Sequence, residues 1–216
     1  ISLNVIGYNN VMDNTTERNR FIGDIWGEYE FIDGLKFKTD VSFDRTDWHN
    51  HIYNPPSDLG WRYKVNPENA TLNIELGNTT RTFFNNFLTY EKTINKHKFD
   101  VLAGWIQEKN DFYKNWSRGT GYETGEISQI QNATTIVGGE WKSRITTISY
   151  ITRLNYSYAD KYLIQGNFRQ DKTSLFAPEN NTGNFYSFSG AWKLSNEKFI
   201  AAILPTWVDM IKIRIY

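Results

Sequence analysis

The chain of 216 residues has no cysteine, two methionines and five prolines. Without thiols it can build neither a disulfide framework nor a thiolate metal or redox centre. Its 24 basic residues balance 24 acidic ones, so no net field draws it to nucleic acid. No apolar run approaches the roughly 18 residues that a membrane helix requires. There is no G-x-S-x-G elbow, no phosphate loop and no H-E-x-x-H. Gly119, Gly121 and Gly125 lack the strand-to-helix context that phosphate binding needs. Ile1-Ser2-Leu3 is neither a Met start nor a charged leader, so a mature, truncated or excerpted chain is expected.

What the chain has is aromatic side chains: 13 Tyr, 14 Phe and 8 Trp, a composition suited to pleated strands. Apolar residues recur at every second position, in paired runs. Phe21, Ile25, Tyr29 and Phe31 alternate with Asp24, Glu28 and Glu30, and after Asp33-Gly34 a return run carries Phe37, Val41 and Phe43. This predicts a hairpin over about 17–48. A second is expected over about 81–110, turning at Asn95-Lys96, and a third over about 145–171, turning at Ala159-Asp160. A strand at about 184–194 and another ending on Ile211, Ile213 and Ile215 make about eight in all. Ser195 to Lys198 reads as a capped helical turn.

The connections alternate in length. Two or three residues join the strands within each hairpin, whereas the links at about 49–80, 111–144 and 172–183 are long and rich in Asn, Thr, Gly and Trp. Strands of about 11–15 residues exceed the roughly 5–6 of globular sheets and suffice for a tilted bilayer crossing. Tyr29, Phe31, Tyr90, Phe99, Tyr156, Tyr158 and Tyr162 sit near the short turns on the apolar face, as an interfacial belt would. The expectation is an all-β, antiparallel transmembrane β-barrel segment. A complete eight-strand barrel with a structural or adhesion role and a soluble carbohydrate-binding β-sandwich are the alternatives. Closure between the first and last strands would mark the barrel, and mutually buried apolar faces the sandwich.

Several runs resemble one family. ITRLNYSYADKYLIQGNFRQDKTSLF (151–176) resembles the signature hairpin of SusC/RagA-like TonB-dependent transporters of the Bacteroidetes outer membrane, and GNFYSFSGAWKLSNEKFI (183–200) and MIKIRIY (210–216) are similar, in order, to further runs of the same family. GLKFKTDVSFD (34–44) and NFLTYEKTINKHKFDVLAGW (86–105) resemble earlier strands of the same barrels. Lys172-Thr173 and Tyr186 depart from the family's usual residues. The resemblance implies a barrel of about 22 strands, a plug domain and a TonB-contacting segment. It also implies a SusD-like surface lipoprotein as lid, and import of oligosaccharide or peptide powered through the TonB complex. About eight strands are visible, so residues 1–216 are expected to be part of such a barrel, with plug and terminal strands outside the chain.

Within that expectation Leu154, Ile164 and Phe168 face outer-membrane lipid, and Arg153, Gln165, Asn167, Arg169 and Asp171 line the lumen. Trp48, Tyr53, Trp61, Tyr63, Tyr113, Trp116 and Tyr122 fall in the long links and are the candidates for contacting substrate or lid. His49 and His51 lack enough neighbouring ligands for a metal site. Carboxylate pairs such as Glu28/Glu30 and Asp44/Asp47 suit a wet wall better than a glycosidase. No catalytic residue, metal, cofactor or nucleic acid is expected.

Overall fold

The computed structural model describes residues 5–60, 63–205 and 207–216. A short helix α1 (Val5–Val11) precedes strands β1 (Asp13–Ile32) and β2 (Leu35–Asn54). Two-residue strands β3 (Ser57–Asp58) and β4 (Lys64–Val65) pair with each other. The main sheet continues with β5 (Thr71–Ile94), β6 (His97–Thr120), β7 (Thr135–Tyr158), β8 (Tyr162–Thr173) and β9 (Thr182–Lys193). After a helical turn α2 (Lys198–Ala201) comes β10 (Lys212–Ile215). The eight strands lie in the order β1-β2-β5-β6-β7-β8-β9-β10, each beside the previous member of the sheet in chain order. Among the described residues β1 and β10 are the two ends of that order and are not bonded to each other. The closure expected of a small complete barrel is thus not seen.

The expected turns form at the expected places, because each contains residues that accept left-handed backbone. Gly34 has φ 84°, Asn95 54°, and Ala159 and Asp160 52° and 55°. Tyr158 pairs with Tyr162, so the last turn spans three residues, closed by the Lys161 N–H donating to the Tyr158 carbonyl at 2.9 Å.

The strands are longer than the alternation indicated. β5, β6 and β7 each have 24 residues, and strand covers 49–54, 71–80, 111–120 and 135–144, all expected to be link. Over 111–120 and 135–144 polar and apolar residues mix on both faces, so no clean period-2 signal marks them. The head of β5 does alternate, with Leu72, Ile74 and Leu76 against Thr71, Asn73 and Glu75. The backbone ladder continues regardless. The expected cap at 195–198 also differs: Glu197 makes no capping bond to α2 and is engaged elsewhere.

The chain forms two compact units. The first comprises 1–22, 43–81 and 110–144, and holds the only buried apolar cluster among the described residues: Tyr53, Ala70, Leu72 and Tyr122, flanked by Val65, Ile74, Ile130 and Ala133. The Tyr53 and Tyr122 rings meet edge-on at 5.2 Å, and the Tyr53 hydroxyl donates to the Thr124 carbonyl at 2.8 Å.

The second unit comprises 23–42, 82–109 and 145–216. It buries almost nothing apolar. Ile25, Ile164 and Phe188 are 80%, 57% and 74% exposed, each on a strand of the main sheet. A sandwich would bury such faces against each other, and these are open.

Candidate functional site

The two faces of the second unit differ sharply, and the register explains how. In β7–β8 the pairs Tyr158↔Tyr162, Tyr156↔Ile164, Leu154↔Gly166 and Thr152↔Phe168 share one face. The next strand adds Trp192, Phe188 and Tyr186 opposite Tyr162, Gly166 and Phe168. Ile213 then sits opposite Trp192. This is the apolar face.

At its short-turn margin the rings cluster. His97 lies 4.9 Å from Tyr158, Phe99 lies 5.1 Å from Tyr156, and Tyr162 stacks on Trp192 at 6.1 Å. The His97 Nδ1 and the Tyr156 hydroxyl are hydrogen-bonded at 2.8 Å. A second set of cross-strand aromatic pairs lies further along the strands: Phe84–Trp105 at 5.5 Å and Phe168–Tyr186 at 5.2 Å. Beyond these rings the same strand positions turn polar, as Glu17 and Asn19 in β1 and Gln170 and Lys172 in β8. An apolar stripe bounded at both ends by rings is the pattern of a wall with lipid on one side. The short-turn belt was expected; the second was missed, although aromatics recurred on the apolar face well along the strands from the turns.

The opposite face is polar and internally bonded. The five sequence candidates come together on it through Arg153↔Asn167, Asn155↔Gln165, Ile151↔Arg169 and Ser149↔Asp171. Gln165 donates to Asn167 at 3.3 Å, and Asn167 to the Ser187 hydroxyl at 2.9 Å. Arg169 Nε reaches both Asp171 oxygens at 2.8 and 3.0 Å. Asn155 donates to Asp100 at 2.9 Å, Ser42 to Asp24 at 2.6 Å and Asn85 to Asp40 at 2.6 Å. Near the short turns a hollow of about 530 Å³ opens on this face, with Lys98, Lys212 and Arg214 opposing Asp100 and Asp160.

At the same margin Glu197 is buried among donors. It accepts from Lys161 Nζ at 2.7 Å, the Tyr162 hydroxyl at 2.8 Å and Trp192 Nε1 at 3.3 Å. Lys161 foremost, then Tyr162, and then Trp192, hold its carboxyl below the usual glutamate range, against the opposing effect of burial.

The aromatic candidates do not form one loop cluster. Trp48 and Tyr53 lie in β2, and Tyr113 and Trp116 in β6. Tyr53 and Tyr122 are buried in the apolar cluster, where burial foremost pushes the Tyr122 phenol up. Packing accounts for their burial. Tyr63 stays exposed beyond β3, and Trp61 lies outside the described residues. Lys142 Nζ stands 5.4 Å over the Tyr113 ring, and Trp116 lies against Gly139.

Trp48 is placed differently. Its Nε1 donates to Glu75 at 3.1 Å, and Glu75 also receives Lys114 Nζ at 2.5 Å. Phe112 packs 5.7 Å away. Sequence reasoning named Trp48, and Asp44 as a carboxylate of the wet wall, but not Arg18, Arg20 and Arg81; all of them line a hollow of about 290 Å³. These residues are up to 63 positions apart (18 to 81), so only strand pairing reveals them. His51 stands 3.6 Å from Asp13, and no group of three metal-ligating side chains occurs among the described residues.

Long meandering strands with a ring-bounded apolar face and a bonded polar face define the wall of a transmembrane-type β-barrel. No family model matches the chain. The TonB-dependent receptor P3 of Formosa agariphila is 30% identical over 187 residues, 84% of this chain and 18% of that protein. The TonB-dependent receptor SusC of Bacteroides thetaiotaomicron is 30% identical over 118 residues, 54% of this chain and 12% of that protein. The solved RagAB peptide transporter superposes with a TM-score of 0.85 at 19% identity, over 96% of this chain and 23% of that one. The chain thus spans less than a fifth of the length of these curated relatives. It belongs to the SusC/RagA-like TonB-dependent receptors, as part of their β-barrel.

Proposed function

We propose that this chain is a wall segment of an outer-membrane importer that takes up oligosaccharide or peptide nutrients. The apolar face, between its two aromatic belts, meets lipid. The polar face, with Arg153, Gln165, Asn167, Arg169 and Asp171, lines the lumen through which cargo passes. A SusD-like surface lipoprotein closes over the cargo, and the TonB complex supplies the energy through parts of the receptor outside this chain. The relatives are described as receptors and transporters, which agrees with gating and passage in place of bond chemistry.

One observation carries this reading. A continuous sheet leaves Ile25, Ile164 and Phe188 open on one face while the other carries a network of side-chain hydrogen bonds. In water that arrangement exposes a large apolar surface to no benefit; in a bilayer it is the stable one. The test uses the full-length receptor. It should fractionate with outer membranes, resist extraction without detergent, and support uptake of its nutrient that stops when TonB is deleted. Recovery in the soluble fraction, or uptake independent of TonB, would overturn the proposal.

A further inference from the structure

The hollow beside Trp48 has two features that together define a ligand. The first is charge. Arg20 Nε and Nη2 grip both oxygens of Asp44 at 2.9 and 2.8 Å, which consumes the only carboxylate lining the hollow. Arg18 and Arg81 remain: among the described residues neither holds a side-chain hydrogen bond or close ion pair, although Arg81 also feels the charge of Asp44 at longer range. Two guanidinium forks therefore stand with unused donors on one short stretch of wall. Such planar forks match the paired oxygens of an oxyanion.

The second feature is a rigid aromatic plate. A β-carbon at Gly77 would fall 2.2 Å from Trp48 Cζ2, so the indole lies directly on the bare backbone there. Its nitrogen is tied to Glu75, and Phe112 flanks it. Held at these points, the half-buried ring lines the hollow as a fixed surface. Thr46 and Thr79 add hydroxyls beside it.

We propose that this hollow binds an anionic saccharide unit, its ring on the Trp48 indole and its carboxylate or sulfate between Arg18 and Arg81. A pre-set flat plate favours the C–H face of a sugar ring over an acidic peptide, whose side chains are flexible and whose backbone would need amide partners that the hollow does not offer. The inference rests on the import reading and names the class of cargo.

The test measures binding of six-unit oligomers to the full-length receptor by calorimetry: a uronate, a sulfated saccharide, a neutral saccharide and oligoglutamate. The wild type should prefer one or both charged saccharides over the neutral one by about tenfold or more, and lose that preference as salt rises. Arg18→Gln/Arg81→Gln should weaken charged-saccharide binding by about tenfold to a hundredfold and leave neutral binding unchanged. Trp48→Leu should weaken binding of both saccharide types. Which anion prevails separates carboxylate from sulfate. Heat-modifiable mobility on gels verifies that each variant is folded. Equal binding of neutral and charged saccharides, or an unmoved double variant, overturns the inference while leaving import intact. So does tighter binding of oligoglutamate. A receptor whose deletion alters no nutrient uptake overturns import itself.

Discussion

Gly77 and Trp48 occupy one space: where a side chain at 77 would begin, the indole of 48 already lies, at 2.2 Å from the ideal β-carbon. The Tyr113 carbonyl, 2.6 Å from the same point, closes the other route. Gly77→Ala must therefore displace the indole. Overpacking of this kind costs about 1–3 kcal/mol, read as a lowered urea midpoint of the folded receptor in detergent. An unchanged midpoint would mean that Trp48 has somewhere else to go.

The second prediction concerns the Asp33-Gly34 turn. Gly34 has φ 84°, and a β-carbon there would fall 2.0 Å from the Glu91 carbonyl oxygen on β5. The Glu91 N–H also donates to the Gly34 carbonyl at 2.8 Å. Gly34→Ala combines backbone strain with loss of this bond, about 1–3 kcal/mol from the strain alone. Hydrogen exchange at Glu91 should accelerate before any global change. Retained protection there would refute the close approach.

Adjacent residues of β8 should differ in their tolerance of charge. Ile164 faces the apolar side and Gln165 the bonded polar side. Ile164→Arg is expected to cost about 2–4 kcal/mol if its position lies near the bilayer midplane, whereas Gln165→Arg should stay within about 1 kcal/mol. Folded yield in liposomes, followed by the gel shift on heating, measures both. Equal yields would contradict a lipid-facing Ile164.

Glu197 gives a pH dependence whose sign is fixed. Its carboxyl is held below the ordinary glutamate value of 4.5 by Lys161 first, then Tyr162 and Trp192. The unfolded chain therefore takes up the proton first on acidification. The stabilisation is full above about 4.5 and is lost as pH falls through the lower folded value. Glu197→Gln should lower the urea midpoint at pH 7, and the gap to wild type should narrow by pH 3.5. A gap independent of pH would assign the effect to packing.

The sheet half of the structure was legible where one face is apolar and the other wet. There the alternation fixed which residues share a face, and Arg153, Gln165, Asn167, Arg169 and Asp171 fell together as the pattern required. Where polar and apolar residues mix on both faces the alternation vanishes, so β6 and β7 ran on through residues that read as links. The head of β5 kept its alternation in Leu72, Ile74 and Leu76 but lay inside a long Asn- and Thr-rich stretch. Trp48 and Tyr113 consequently moved from loop to strand. The fate of Tyr53 and Tyr122 depended on a contact across 69 positions (53 to 122), which no local pattern encodes. Arg81 beside Arg18 and Arg20 was hidden for the same reason.

The length of those strands has a thermodynamic consequence. Twenty-four residues extend about 80 Å at roughly 3.3 Å each, while a bilayer crossing consumes only about 9–11 of them. Much of each strand therefore stands clear of hydrocarbon as hydrogen-bonded backbone. Side chains mounted there lose their freedom when the wall folds, not when cargo arrives. In the proposed saccharide site at Trp48, recognition would resemble a ligand meeting a template: little entropy is surrendered on contact, and discrimination falls to shape and charge.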